Sequence, residues 1–554
     1  MKNDLLADIN CLCTKANVAL RWTELVFIAH TMTPTQKYRH TAIDTDIDVD
    51  GLLMKSFSGR EELGKLFSYH VVLLDPKQDI DPDRLIGTGL TVRLELENTG
   101  TRFFNGFMST LAFAGYEDGA GVYHAEVVPW AWLLTRTSDC RCFQEKTVKQ
   151  ILEEVFHGHG FNDFEFKLTG SYKPKVFCVQ YNETDFNFIS RLMEHEGMYY
   201  FFRHENGKHT MVIMDDMASH IQHPNRGAIE YHRKSGVQPD GYLYDMTFQK
   251  TVSTGGYATS DYDFKKPKED LRSNKQQEKK HAGSKFEIFE FPGSFRDKEE
   301  GKKLSKVRVE EIQSGHETIN AHCTARGLAC GYLFELKKAE RKDQERQYLI
   351  TSTTISIISD AFTSGGAGGG DKFTCELTAL PKTTVFRPAR TAQKPVMRGP
   401  QTALVTGPAG EEIHCDEHGR VKVHFYWDRY SKADEKSSKW VRVSNASAGG
   451  GYGFVSLPRV GQEVLVEYID GDPDRPVITG RLYNGDNKPP YTLPGRRTGA
   501  SGKPIPAREA GDSMKSAWTT PRTASRSSSR LNGTWTSVCS RPTGHGSGRI
   551  AIPW

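Results

Sequence analysis

Five short stretches hold residue types that could do chemistry, and spacing decides whether those groups can converge. Glu153, His157 and His159 close the helix-like run ILEEVFHGHG, where two imidazoles and a carboxylate one turn back are metal-ligand types. A closed metal site needs three or four converging donors, and a helix end broken by glycine does not gather them. His414, Cys415, Asp416, Glu417 and His418 are better ligand types, but Asp-Glu-His-Gly is ordinary hairpin-turn chemistry. Glu194, His195 and Glu196 have the composition of an acid–base group, yet consecutive helical residues point about 100° apart and do not meet on one substrate. Gly449-Gly450-Gly451-Tyr452-Gly453 could cradle a phosphate only ahead of a helix with Lys-Ser/Thr, and the following FVSLPRVGQEV reads as strand. Asp470-Gly471-Asp472-Pro473-Asp474-Arg475-Pro476 lacks the closing Glu and helical flanks of a calcium loop. It reads as a rigid turn, with Gly471 free to take positive φ and two prolines fixing the chain. GxSxG is absent, and no Cys/His pair has a recognisable local context. No catalytic, cofactor-binding or metal-binding residue is assigned, and no cofactor is expected.

The elements around these stretches are mostly strands. Between Gly399 and Asn484, apolar residues alternate at Val421, Val423, Phe425 and Trp427, at Trp440, Val441 and Val443, and at Val464, Val466, Tyr468 and Ile469. Period-two alternation separated by Gly, Asp and Pro turns predicts a small closed barrel of OB type. Upstream, FSYHVVLL (Phe67–Leu74), LTVRLEL (Leu90–Leu96) and YHAEVV (Tyr123–Val128) read as strands of an all-β body. Two helices stand out. Thr147 caps a run with Val148, Ile151, Leu152, Val155 and Phe156 on one face, and Asp185–Glu196 follows a Thr184 or Asn182 cap and stops at Gly197. A third helix is predicted around Leu304–Ile312, and the lysine-rich stretch Ser253–Lys285 reads as an exposed loop. Strands resume at Tyr348–Ile357 and Phe373–Leu380, joined by a glycine-rich tip, and prolines 381, 388, 395 and 400 mark a linker into the small barrel.

Composition narrows the functional classes. At 554 residues, with 37% hydrophobic and 26% charged content, several domains with ample cores are expected. The net charge of +4 hides an asymmetry: from Arg496 onward ten Lys/Arg face two Asp/Glu, a balance of +8, which leaves −4 for residues 1–495. A body at −4 gives no general basic field for nucleic acid, although Tyr426, Trp427, Tyr430 and Trp440 could stack bases on an OB-type barrel. Ten scattered cysteines without a CxxC pair argue against structural zinc and a disulfide scaffold, and fit folding in a reducing cytoplasm. No apolar run reaches the ~20 residues of a membrane helix, so stable membrane insertion is not expected. Asp4, Asp8, Lys15 and Arg21 interrupt what would be a signal peptide.

GRVKVHFYWDR, GFVSLPRVGQEVLVEYIDGDPDRPVITG and the adjoining RLYN resemble the barrel of VgrG proteins, the spike of the bacterial type VI secretion machine. NETDFNFISRLMEHEGMYYFFRHE, from Asn182 to Glu205, resembles another signature of that family. The resemblance spans Met32 to Gly499. It implies a mainly β fold with few helices: tandem β-barrel hub domains with inserted helices at 32–380, a linker at 381–398 and an OB-fold spike barrel at 399–487. Residues 1–31 form a non-family extension in this division, and 488–554 a disordered tail. It also implies a non-enzymatic homotrimer on a hexameric tube protein, with baseplate proteins around it and PAAR-type cap and effector proteins ahead. Such a protein is assembled in the cytoplasm and secreted by the apparatus without a signal peptide. A contractile phage or prophage tail spike shares the architecture. An effector-bearing spike enzyme is the alternative of another class, and it requires a folded catalytic domain after the barrel.

Both ends depart from the family pattern. Residues 1–31 share no pattern with the remainder of the chain, while MTPTQKYRH from Met32 reads as a family start, so Met1 marks a misplaced start codon or an extension. The family continues past the barrel into a β-helical needle, whereas the segment after Gly499 is rich in Ser, Arg, Gly and Pro without alternation. Codons permitted for Arg522 to Cys539 can be chosen so that the frame starting at the third base of the Arg522 codon reads DRKQIFIKAERHMDLRV. From Asp512 the same exercise gives FNEIRLDDTK; both strings alternate like strands and resemble the start of the needle. A base gained or lost near Gly499–Lys503 is therefore expected, which would leave the β-helix absent. The nucleotide sequence should read through these strings in the shifted frame, and immediate stop codons there would refute the shift.

Overall fold

The computed structural model describes residues 36, 39–45, 51–97, 100–223, 227–233, 241–359, 372–490 and 492–495. The readings for residues 1–31, for the glycine-rich tip at 363–371 and for the tail beyond 495 lie outside them. Six strands open the body: β1 (Thr41–Thr45), β2 (Leu53–Glu62), β3 (Ser68–Asp75), β4 (Gly89–Glu95), β5 (Thr101–Glu117) and β6 (Ala120–Val128). They pair antiparallel in the order β1-β4-β5-β6-β3-β2. Alternation explains which face is buried: Tyr69, Val71 and Leu73 of β3 point into the core, while Ser68 and His70 face outward.

A mixed segment comes next, with β7 (Ser138–Phe143), α1 (Val148–Gly158), β8 (Phe164–Lys167), β9 (Cys178–Thr184), α2 (Asp185–Glu196), β10 (Tyr199–Glu205) and β11 (Lys208–Met214). Thr147 accepts from the Gln150 amide while the Gln150 side chain accepts from the Thr147 amide, which satisfies two otherwise orphan donors at the start of α1. The five apolar residues read as its buried stripe are all buried. Thr184 caps α2, and Gly197 ends it at φ 76°, where a Cβ would sit 2.7 Å from a Val307 methyl.

The body is completed by β12 (Ala228–Glu230), β13 (Leu243–Lys250), β14 (Gly256–Thr259), β15 (Ser273–Gln276), β16 (Glu287–Glu290), α3 (Lys298–Gln313), β17 (Glu317–Cys323), β18 (Leu333–Lys337), β19 (Gln347–Ile358) and β20 (Lys372–Pro381). Pairing of β2 with β19 carries the first sheet onward through β20, β17 and β13, and β18 with β12 branches off β19, so twelve strands share one sheet. The stretch Ser253–Lys285, expected as an exposed loop, instead contributes to a three-stranded sheet, β15-β14-β16. Its lysines lie on the outside, and a cluster of Leu271, Phe295 and Leu304 suffices to seat it against α3. Four-residue strands with so few buried apolar positions carry too little periodicity to be read from sequence.

The small barrel comprises β21 (Gln401–Thr406), β22 (Lys422–Phe425), β23 (Arg442–Val443), a β24–β25 hairpin (Ala448–Gly449, Tyr452–Gly453), β26 (Glu463–Tyr468) and β27 (Pro476–Leu482). Five strands run β22-β21-β26-β27-β23, and paired Val421 and Val441 bring the first and last together. Phe454–Arg459, expected as strand, is extended coil here. The architecture is mainly β with an OB domain, as the alternation implied.

A buried polar group sits where β3, β5, β10 and β11 meet. The Asn105 amide donates to His204 Nδ1 at 3.1 Å, and the Trp130 amide donates to His209 Nε2 at 2.9 Å. Each ring must therefore keep a lone pair. Burial pulls both imidazoles down to about 3, aided by Arg102 near His204 and by His204 near His209. A histidine depressed in the folded state contributes stability that is complete above its unfolded value, near 6.5, and is lost as pH falls towards 3. Each should cost about 1.4 kcal/mol per pH unit across that window. His209→Gln keeps an acceptor for the Trp130 amide but cannot titrate. Unfolding free energy measured from pH 6.5 to 4 should fall less steeply in this variant, by about one proton's worth of slope; coincident slopes would refute the assignment.

Candidate functional site

Of the five candidate stretches, the turn Asp470–Pro476 lies at the seam between body and small barrel. Its apolar part is a single cluster. Phe177 and Val179, from the body, pack with Ala403, Val405, Val421, Val423, Phe425, Val441, Val464, Val466 and Ile478 of the barrel. The body therefore plugs the barrel core. Around the plug, the Tyr181 ring meets Trp427 edge-on at 5.5 Å, and Gln401 links Tyr181, Trp427 and Tyr468 by hydrogen bonds of 2.9, 2.9 and 3.1 Å.

The turn Asp470–Pro476 supplies the polar part. Gly471 adopts φ 66°, and a Cβ there would lie 2.6 Å from a Val396 methyl, so the linker's close approach requires glycine. The Asp474 carboxylate accepts from the Val179 amide at 2.7 Å and from Lys394 at 2.8 Å, and Lys394 also reaches Asp472 at 2.7 Å. Lys439 donates to the Asp474 carbonyl at 2.6 Å. Arg475 pairs with buried Asp261 of the segment carrying the three-stranded sheet at 2.6 Å. Burial pushes Asp474 up, but Lys394, Arg191 and the Val179 amide outweigh it and hold the carboxyl below its ordinary value. Burial, only partly countered by Asp474 and Asp472, pulls Lys439 down to about 8.

The other candidate stretches resolve individually. Glu194 accepts from the Thr391 amide and hydroxyl and from the Ala392 amide at 2.9–3.0 Å, His195 gives its carbonyl to Arg308, and Glu196 pairs with Lys175 and Lys303. The three side chains diverge, and Glu194 fastens the linker. His159 Nε2 lies 2.8 Å from Asp185, away from Glu153, which faces Lys149. Asp416 closes its turn by accepting from the His418 and Arg420 amides, His414 packs on Trp440 at 4.8 Å, and Cys415 is exposed. Gly449–Gly453 is the exposed tip of the β24–β25 hairpin. What sequence reading missed is the brace from the segment of the three-stranded sheet: Phe264 sits under the Arg420 and Arg442 guanidiniums at 5.2 and 4.8 Å and beside His418. A lone aromatic in the run DFKKPK was the available signal.

Comparison with known proteins fits this geometry. Residues 60–361 match the family described as phage tail baseplate hub (GPD), and residues 410–483 match the type VI secretion system/phage-baseplate injector OB domain. The type VI secretion system spike protein VgrG1a of Pseudomonas aeruginosa is 40% identical over 465 residues, covering 84% of this chain and 72% of that protein. The chain belongs to the VgrG family of spike proteins. VgrG1b of the same organism is 39% identical over 468 residues, and the chain spans 63% of its length. The solved fold of an Escherichia coli protein, described as a type VI secretion component similar to T4 tail proteins gp27 and gp5, superposes with a TM-score of 0.58 at 19% identity. That match covers 79% of this chain and 99% of the other.

In this VgrG-family chain, breaking the clasp should loosen the seam. Asp474→Asn leaves the half-exposed Lys394 with Asp472 as its one carboxylate and weakens the bond to the Val179 amide, and should cost about 1–2 kcal/mol. Thermal unfolding should drop accordingly, and trypsin should cut after Arg390 or Arg398 under native conditions. Asp470→Asn, on the exposed side of the same turn at φ 56°, should change neither. Equal behaviour of the two variants would show that the clasp is not needed.

Proposed function

We propose that this protein is a structural spike component of a type VI secretion system, a homotrimeric hub and neck that performs no reaction. The observation that carries the reading is the shared core of body and barrel. A part that transmits axial force must not hinge between its domains, and here a plug, an ion cluster and a brace span the junction together. Exposed apolar side chains support the trimer. Tyr452, Phe454 and Val455 are 75%, 52% and 74% exposed on the small barrel, while Phe286, Phe289 and Phe291 stand out of the body. Such residues on a single chain mark protein–protein contact. Closed cyclic assembly is the economical way to cover them.

In this reading the body rests on a hexameric tube protein within a baseplate, a PAAR-type cap and effectors lie ahead, and the apparatus exports the assembly. No helix among the described residues is long and apolar enough to cross a membrane. A phage or prophage tail spike is the second reading, since both matched domain families include phage baseplate proteins. Light scattering on the full chain should give three times the 62.3 kDa chain mass. Phe454→Asp with Val455→Asp should shift the species to one chain without lowering helix or strand content. A single chain at high concentration, or turnover of a substrate by the purified protein, would overturn the proposal.

A further inference from the structure

The outward face of the first sheet holds a pair of imidazoles that the seam does not use. His70 on β3 and His124 on β6 stand on the same exposed face, diagonal across the antiparallel pairing in which His70 opposes Glu126 and Val72 opposes His124. His70 Nε2 and His124 Nδ1 approach to 3.3 Å, with ring centroids 5.4 Å apart at 54°. We propose that these two nitrogens form a surface binding site for a divalent transition metal such as Zn²⁺ or Ni²⁺.

Three observations support the site. With metal–nitrogen bonds of about 2.1 Å, nitrogens 3.3 Å apart subtend about 104° at the ion, close to the tetrahedral angle that zinc takes. Imidazole is the ligand class shared by zinc, nickel and copper. A carboxylate stands beside the pair: Glu126, on the same face, accepts from the Ser68 and Thr110 hydroxyls at 3.3 and 3.4 Å, and its negative charge favours a cation there. Strand pairing fixes both backbones, so little is lost in ordering the ligands. Without metal, one facing nitrogen carries the proton and donates to the other. Binding requires both lone pairs, so that proton moves to the far nitrogen of its own ring, leaving His70 protonated at Nδ1 and His124 at Nε2. Water completes the coordination. The site thus belongs to a metal that is held and exchanged, and when bound it clips β3 to β6.

The full chain, stripped with chelator, should bind one Zn²⁺ or Ni²⁺ per chain at this face by calorimetric titration. His70→Ala and His124→Ala should each weaken that binding at least tenfold while leaving the circular dichroism unchanged, and Glu126→Gln should weaken it by about twofold. Metal should raise the thermal midpoint of the wild type and not of the double variant. A wild-type measurement covers the case of a misfolded variant: Ni²⁺ should protect both His70 and His124 from diethylpyrocarbonate, read by peptide mass. Titration curves that coincide for wild type and double variant, or equal modification with and without Ni²⁺, would overturn the site.

Discussion

Removing water from the seam between body and barrel is the constraint on which the remaining structure depends. The barrel supplies nine of the eleven buried residues of its core, and Phe177 and Val179 complete it from a body segment nearly three hundred residues away in sequence from the turn that grips it. Once that plug excludes solvent, the polar groups at its edge must be satisfied within the protein, because an unpaired buried charge costs several kcal/mol. Asp474 meets this requirement through an amide, an ammonium and the field of Arg191, which is itself neutralised by Glu183 at 2.7 Å. Apolar packing supplies the adhesion, and the ion cluster sets the angle at which the two domains meet.

The linker shows the same logic. Four prolines from residue 381 to residue 400 read as a linker, and in the fold they hold the chain extended so that its neighbours reach fixed anchors. Arg387 pairs with Glu310 and donates to the carbonyls of Gly197 and Asp215; Arg390 forks onto Glu290; Thr391 and Ala392 cap Glu194. Anchors therefore come from α2, α3 and the three-stranded sheet at once. Bending the barrel away would break bonds on several elements together, which is how a short segment becomes a strut.

Where the chemistry is local, the sequence was legible. Period two gave the barrel strands around Val421–Phe425 and Val464–Tyr468, and period 3.6 with Thr caps gave α1 and α2 to within a residue. Pairing between distant residues was not legible. Asp261 with Arg475, Glu194 with Thr391, and the stacking of Phe264 on Arg420 leave no periodic trace. The same blindness hid His70 and His124, which are fifty-four positions apart and become neighbours only through strand register. The three-stranded sheet escaped because its strands are too short to alternate visibly.

The acidic turn illustrates why residue type alone misleads. Asp470, Asp472 and Asp474 are spaced as cation ligands would be, and the fold does deliver a cation to the last two, but it is the ammonium of Lys394 from the linker. A tethered cation is held at high effective concentration, so the turn grips its own chain in preference to a free ion. Glu194 takes the same course with backbone amides, its oxygens occupied from one direction by the strap it secures. Carboxylates committed in this way have no face left for a substrate. Acidic motifs in this chain thus convert chemical reactivity into mechanical continuity, and the domain seam is where that conversion is concentrated.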